Sequence, residues 1–127
     1  MVPPKTFSAT DHVVGVDRNL DASVQVLTGH DPDQPVDGMT FGVAIMPQSA
    51  PHGGERHPDG DEILYLVSGT ARLVFTDDPL PDVLVEAGQT VVVPRGLWHR
   101  VDVLEPCHIV YMTPGMNNEE RPLVGDS

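Results

Sequence analysis

Turn-forming residues interrupt this chain so often that no long helix fits between them. Gly29-His30-Asp31-Pro32-Asp33, Pro58-Asp59-Gly60, Ser68-Gly69, Asp77-Asp78-Pro79 and Ala87-Gly88 divide it into short pieces. Glycine and proline together supply 25 of its 127 residues, well above the roughly 12% of an average protein. The pieces between them, 12–16, 24–28, 39–46, 63–67, 70–76, 83–86, 90–93, 100–104 and 108–112, are short, and most are rich in valine. β-Branched and aromatic side chains suit a pleated, half-buried surface. No window sustains the 3.6-residue apolar repeat of an amphipathic helix. The pattern predicts an all-β barrel or sandwich of about eight to ten antiparallel strands.

Period-two alternation then assigns faces. Along 39–46 it directs Met39, Phe41, Val43 and Ile45 inward and Thr40, Gly42 and Ala44 the other way. The run 63–67 reads as apolar throughout, so cover on both of its faces is expected. The same period points His99, Val101 and Val103 into the barrel, and Arg100 and Asp102 to solvent. The whole of 1–127 reads as one domain with its core at 12–112. Residues 1–10 read as a flexible arm or edge strand, and 115–127 as an extended or disordered tail.

A formal charge of −12 argues against nucleic acid and anionic membrane as partners, because both need a basic surface. The single cysteine, Cys107, excludes an internal disulfide framework and fits a reducing compartment. The start, Met1-Val2-Pro3-Pro4-Lys5, lacks an apolar targeting core, and no run reaches the roughly 18 residues of a membrane span. A cytoplasmic protein is expected. The chain is also long enough to build a core without disulfides.

Chemistry concentrates in two segments. The first is Glu55-x-His57-x-x-x-x-Glu62, with Gly69 seven positions on; the second is Gly88-x-x-x-x-x-Pro94-x-Gly96-x-x-His99. In an extended strand, positions 55 and 57 share a face; the turn at 58–60 returns Glu62, and the bend at Pro94 and Gly96 brings in His99. Two imidazoles and two carboxylates so gathered would hold a divalent transition metal: Fe, Mn, Ni or Zn. Gly69 and Gly88 read as turn residues. Asp61 is a poorer carboxylate candidate, since only Glu62 has the right distance to Gly69.

These segments resemble the two motifs of the cupin family, over residues 39–112. The first, Gly-x5-His-x-His-x(3–4)-Glu-x6-Gly, is matched at His57, Glu62 and Gly69. The second, Gly-x5-Pro-x-Gly-x2-His-x3-Asn, is matched at Gly88, Pro94, Gly96 and His99, with Val103 in place of the final Asn. The family's first histidine is Glu55 here. The resemblance implies a cupin-type jelly-roll β-barrel with a metal on His57, Glu62 and His99, and Glu55 as a fourth ligand. Without Glu55, the other three form a two-His-one-carboxylate set like that of non-haem Fe(II) oxygenases. A metal-free cupin keeping only the motif skeleton is the alternative.

Of the other candidates, His52 reads as a supporting or surface residue that could swing in as a replacement ligand, and His108, in phase with Val110 and Met112, as a lumen, packing or supporting residue. His12 and His30 read as surface groups, Cys107 as a plain buried thiol, and Trp98 as an exterior or subunit-contact residue. The resemblance implies a small metal-dependent enzyme of dioxygenase, isomerase, cyclase or lyase type. An apolar lumen of Phe41, Val43, Leu64, Val101 and Met112, with only Arg72 and Arg95 as nearby cations, favours an aromatic or ketone-bearing small molecule over a sugar phosphate. A non-catalytic binding or sensor cupin is the second reading. Open sheet edges and the N-terminal arm suggest a homodimer.

Overall fold

The computed structural model describes residues 4–29 and 31–123; His30 lies outside the described residues. Ten strands follow in order: β1 (His12–Asp17), β2 (Ala22–Thr28), β3 (Asp31–Pro32), β4 (Gly38–Met46), β5 (Gly54–Arg56), β6 (Glu62–Phe75), β7 (Val83–Glu86), β8 (Thr90–Val93), β9 (His99–Gly115) and β10 (Glu119–Arg121). The described residues contain no helix, and so none long and apolar enough to cross a membrane. All pairings are antiparallel, and the sheet curls into a jelly-roll-like barrel, as the strand spacing predicts.

Two long strands organise the barrel. β9 pairs with β6 along most of its length and with β4 from Cys107 to Gly115, while at His99 it meets β5. Ser68-Gly69 is therefore not a turn between two strands. It is a bulge inside β6, with register shifts on either side of Ser68. Gly69 has φ +91°, and a Cβ there would collide with the carbonyl oxygen of Pro106. Only glycine meets both demands.

In the core, Leu66, Ala71, Val85, Cys107 and Ile109 pack together. Leu64 and Val101 pack against this cluster and, with Ile109, also border a cavity of about 760 Å³. The hydrophobic cluster thus borders the cavity.

The phase expected for β4 is reversed. Thr40, Ala44 and Met46 line the cavity, while Phe41 and Ile45 are exposed. Gly42, without a side chain, leaves space that the Tyr111 ring fills. Because the interior here is a cavity with a polar centre, it takes small and polar side chains; the apolar alternation follows the outer face instead. The consequence runs across the sheet. Phe41 pairs with Met112 and Val43 with Val110, so neither partner is a lumen residue. His108, opposite Ile45, lies on the outer face too. Ile109, Tyr111 and Thr113 line the cavity in their place.

The outer face carries an unbroken apolar row across six strands. Val24, Val14, Phe41, Met112, Ile63 and Val92 are successive register partners.

Candidate metal centre

Four side chains meet at the cavity: Glu55, His57 and Glu62, which line it, and His99 beside them. Their ligating atoms all lie within 4.8 Å of one another. His57, Glu62 and His99 are almost completely buried, at 3%, 3% and 0% exposure, whereas Glu55 is partly open to the cavity. The two imidazole rings are 5.1 Å apart, centre to centre.

Each donor is delivered by a local feature. Glu55 is in β5, directly opposite His99 in β9, so cross-strand pairing sets that contact. His57 follows β5, and its carbonyl accepts a bond from the Gly96 amide at 3.0 Å. The bend of the second segment is thereby tied to the first. Asp61 strengthens the same tie, because its carboxylate accepts from the Arg95 amide at 2.8 Å. Glu62 opens β6, and its Oε2 accepts from the Thr113 hydroxyl at 2.6 Å.

The hydrogen bonds fix which imidazole nitrogens face the centre. Nδ1 of His99 donates to the Leu97 carbonyl at 2.9 Å, and a carbonyl can only accept. Nδ1 of His57 is 3.0 Å from the side-chain oxygen of Asn118, again an acceptor. With both Nδ1 atoms protonated, each neutral ring presents a bare Nε2. Those two Nε2 atoms each lie 3.2 Å from a Glu62 oxygen, His99 at Oε1 and His57 at Oε2. Nε2 of His57 is buried and meets its carboxylate neighbours off-axis, without an aligned hydrogen bond.

Lone pairs facing lone pairs in a buried site repel unless a cation lies between them. A proton can supply that cation. Burial opposes charge on His57, but the adjacent Glu55 and Glu62 outweigh it, and its pKa rises from 6.5 to about 10. Burial would likewise raise the Glu62 pKa, yet the two histidines and Thr113 hold it well below the usual carboxylate range. A divalent metal meets the same demand with all four donors at once. The donor set therefore fits a transition metal, with Nε2 coordination from both histidines.

His52 also lines the cavity, near Glu55 and Glu120, while His108 stands apart on the outer face. His12 interacts with Asp11, and Cys107 is a buried thiol whose pKa burial raises. Trp98 is flanked by the guanidinium groups of Arg56 and Arg121, at 5.1 and 3.7 Å from its ring centre. Arg121 in turn bonds Asp77 through two nitrogens. These contacts fasten β10 beside β5, where the sequence reads as an extended or disordered tail. Asp59 adds to the fastening by accepting from the amides of Met116 and Asn117.

Asn118 and Thr113, which orient His57 and Glu62, escaped sequence reasoning. Thr113 carries a usable signal, because the inward phase of His99 continues at every second residue to position 113. Asn118 carries none, since only tertiary pairing of β10 brings it to His57.

Together the barrel and its buried donors define a small β-barrel protein with a candidate metal centre opening onto a ligand-sized cavity. The family model described as "Cupin domain" matches residues 42–113, more than half of the chain, and the chain belongs to that family. No curated protein matches the chain in sequence. Among solved structures, a cupin-2 domain containing protein from Shewanella frigidimarina is similar, with 23% identity and TM-score 0.52 over 65% of this chain and 76% of that one. Oxalate decarboxylase from Bacillus subtilis, a protein with Mn(II) centres, gives 22% identity and TM-score 0.55 over 66% of this chain. DMSP lyase from Ruegeria pomeroyi gives 21% and 0.54 over 65%. The match spans only 24% of the decarboxylase chain and 43% of the lyase chain. At these identities the likeness shows the fold.

Proposed function

We propose that this chain is a metal-dependent cupin enzyme acting on a small, largely apolar molecule that bears oxygen atoms, of dioxygenase, isomerase or cyclase type. The convergence of bare Nε2 atoms on Glu62, which lines a large cavity, carries this reading. His57, Glu62 and His99 would hold the ion, with Glu55 as the more exposed fourth ligand. A bound Fe, Mn, Ni or Zn ion would polarise a substrate oxygen and stabilise charge developing there. The protein's own part is to orient and exclude. Asn118 and Leu97 fix the ring tautomers, Thr113 fixes Glu62, and Leu64, Val101 and Ile109 give the cavity an apolar wall.

The cavity lining contains no lysine or arginine among the described residues; Arg72 and Arg95 lie elsewhere. With Glu55, Glu120 and Asp33 around the cavity, an anionic substrate is repelled and a neutral one is favoured. Catechol and an aryl β-diketone are suitable probes. The reading expects either to raise the melting temperature of the metal-loaded protein and to leave His99→Ala unchanged, with turnover under air or nitrogen separating oxygenase from isomerase. Binding without any turnover would support the sensor alternative.

The same proposal includes a homodimer and a cytoplasmic location. The six-strand apolar row supports a second copy as the occupant of the outer face. Ile45, Tyr65 and Val67 widen the row into an exposed apolar patch, with Ile45 69% exposed. A surface so apolar is costly to leave in water. The cytoplasmic location rests on the lone thiol of Cys107.

A further inference from the structure

The residue that departs from the family's pattern, Glu55, belongs to two clusters at once. One is the centre described above; the other is His52, Glu55 and Glu120, whose ligating atoms also lie within 4.8 Å of one another. We propose that Glu55 bridges two divalent cations, the second held by His52 and Glu120 toward the cavity mouth.

Strand pairing makes the case. Glu120 in β10 is the direct register partner of Glu55 in β5, and Glu55 is the partner of His99 in β9. Glu120, Glu55 and His99 therefore form one row across three strands. Two carboxylates directly opposite on one face repel each other, and no ion pair neutralises Glu120 among the described residues. The neighbouring Glu119 does have a cation, Arg56, and Asp77 has Arg121. Glu120, left without a cation, lines the cavity beside Glu55.

His52 supplies the neutral nitrogen such a position needs. Its Nδ1 is buried without a hydrogen-bond partner among the described residues, an arrangement that is costly in a polar site unless something accepts its lone pair or proton. All three residues line the same cavity. The loop carrying His52 is anchored next door, where the Gly53 amide donates to the Arg121 carbonyl at 2.8 Å.

The chemistry explains the substitution. An imidazole at position 55 would bind one ion through one nitrogen. A carboxylate has two oxygens and can serve two ions, and paired sites hold their metals about 3.5–4 Å apart. His52 and two carboxylates with open positions form a set suited to Mn, Fe or Zn. The second ion would cap the cavity on the side from which a neutral oxygen-bearing substrate enters.

This inference rests on the first centre being a metal site, and the test separates the two. Metal-stripped protein is dialysed against Mn(II), and bound metal is counted by mass spectrometry. Two equivalents are expected for the wild type, and one for His52→Ala and Glu120→Gln. One equivalent in all three overturns the second site and leaves the first intact; none in any overturns both. A second reading needs no variant: at two equivalents the bridged pair should show an exchange-coupled Mn(II) spectrum by electron paramagnetic resonance. An uncoupled six-line signal of full intensity at saturation would overturn the bridge.

Discussion

Glu55 and His99 are direct cross-strand partners, the one point at which β5 and β9 pair. Glu55 Oε1 lies 3.8 Å from His99 Nε2 and 3.7 Å from His57 Nε2. The carboxylate is thus equidistant from both nitrogens, yet it has about a third of its side chain exposed where they have almost none. It would complete the centre from the cavity side and would be the ligand most easily displaced.

Ligand substitutions should rank accordingly. His99→Ala removes one of two neutral donors and should abolish tight metal binding. Glu55→Ala should weaken binding of the ion at the first centre about tenfold, near 1.4 kcal/mol, because three ligands remain. Competition with a fluorescent chelator measures both, and equal losses would contradict the ranking.

Asn118 should matter for metal affinity without touching the metal. Its side-chain oxygen holds Nδ1–H of His57, and loss of such a partner typically costs 10–100-fold in affinity. Asn118→Ala should fall in that range, while Asn118→Asp, which still accepts, should recover most of it. A merely structural role for β10 would make the two variants equally weak and lower the melting temperature of both.

Acidity and metal should act on stability in opposite senses. In the chelated protein the Glu62 pKa is depressed, so its contribution is present above the ordinary value of 4.5 and is lost as pH falls. The His57 pKa is raised to about 10, so its contribution is complete below 6.5 and fades as pH rises toward 10. Thermal melts of chelated protein should peak between these limits. With metal bound, the imidazoles must be deprotonated, so stability should keep rising above pH 6.5. Parallel profiles with and without metal would count against the centre.

The outer apolar row gives a test of assembly that leaves the cavity alone. Phe41→Asp with Ile45→Asp places charge on that face and should convert a dimer into monomer by light scattering. A wild type that is monomeric at micromolar concentration would refute the interface.

The donor set was legible because ligand spacing is local. Residues 55, 57 and 62 share one strand–turn–strand unit, and His99 closes a bend marked by Pro94 and Gly96. The strand count was legible too, since turns announce themselves in sequence. The face of β4 was not. Alternation reports which side is apolar, not which side is inside, and here the inside is a cavity lined by Thr40 and Ala44. Continuing the inward phase of His99 would have placed Ile109, Tyr111 and Thr113 correctly; restarting it at His108 misplaced Met112. Asn118 and Glu120 are brought in by tertiary pairing of β10, which leaves no local trace.

Anomalous diffraction at the metal edge, from crystals of the protein loaded with Mn(II) or Zn(II), tests the centre most directly. The structure predicts a peak about 2.0–2.2 Å from Nε2 of both His57 and His99 and from a Glu62 oxygen. Absence of a peak there at saturating metal, or coordination through Nδ1 with the Asn118 and Leu97 contacts broken, would contradict it.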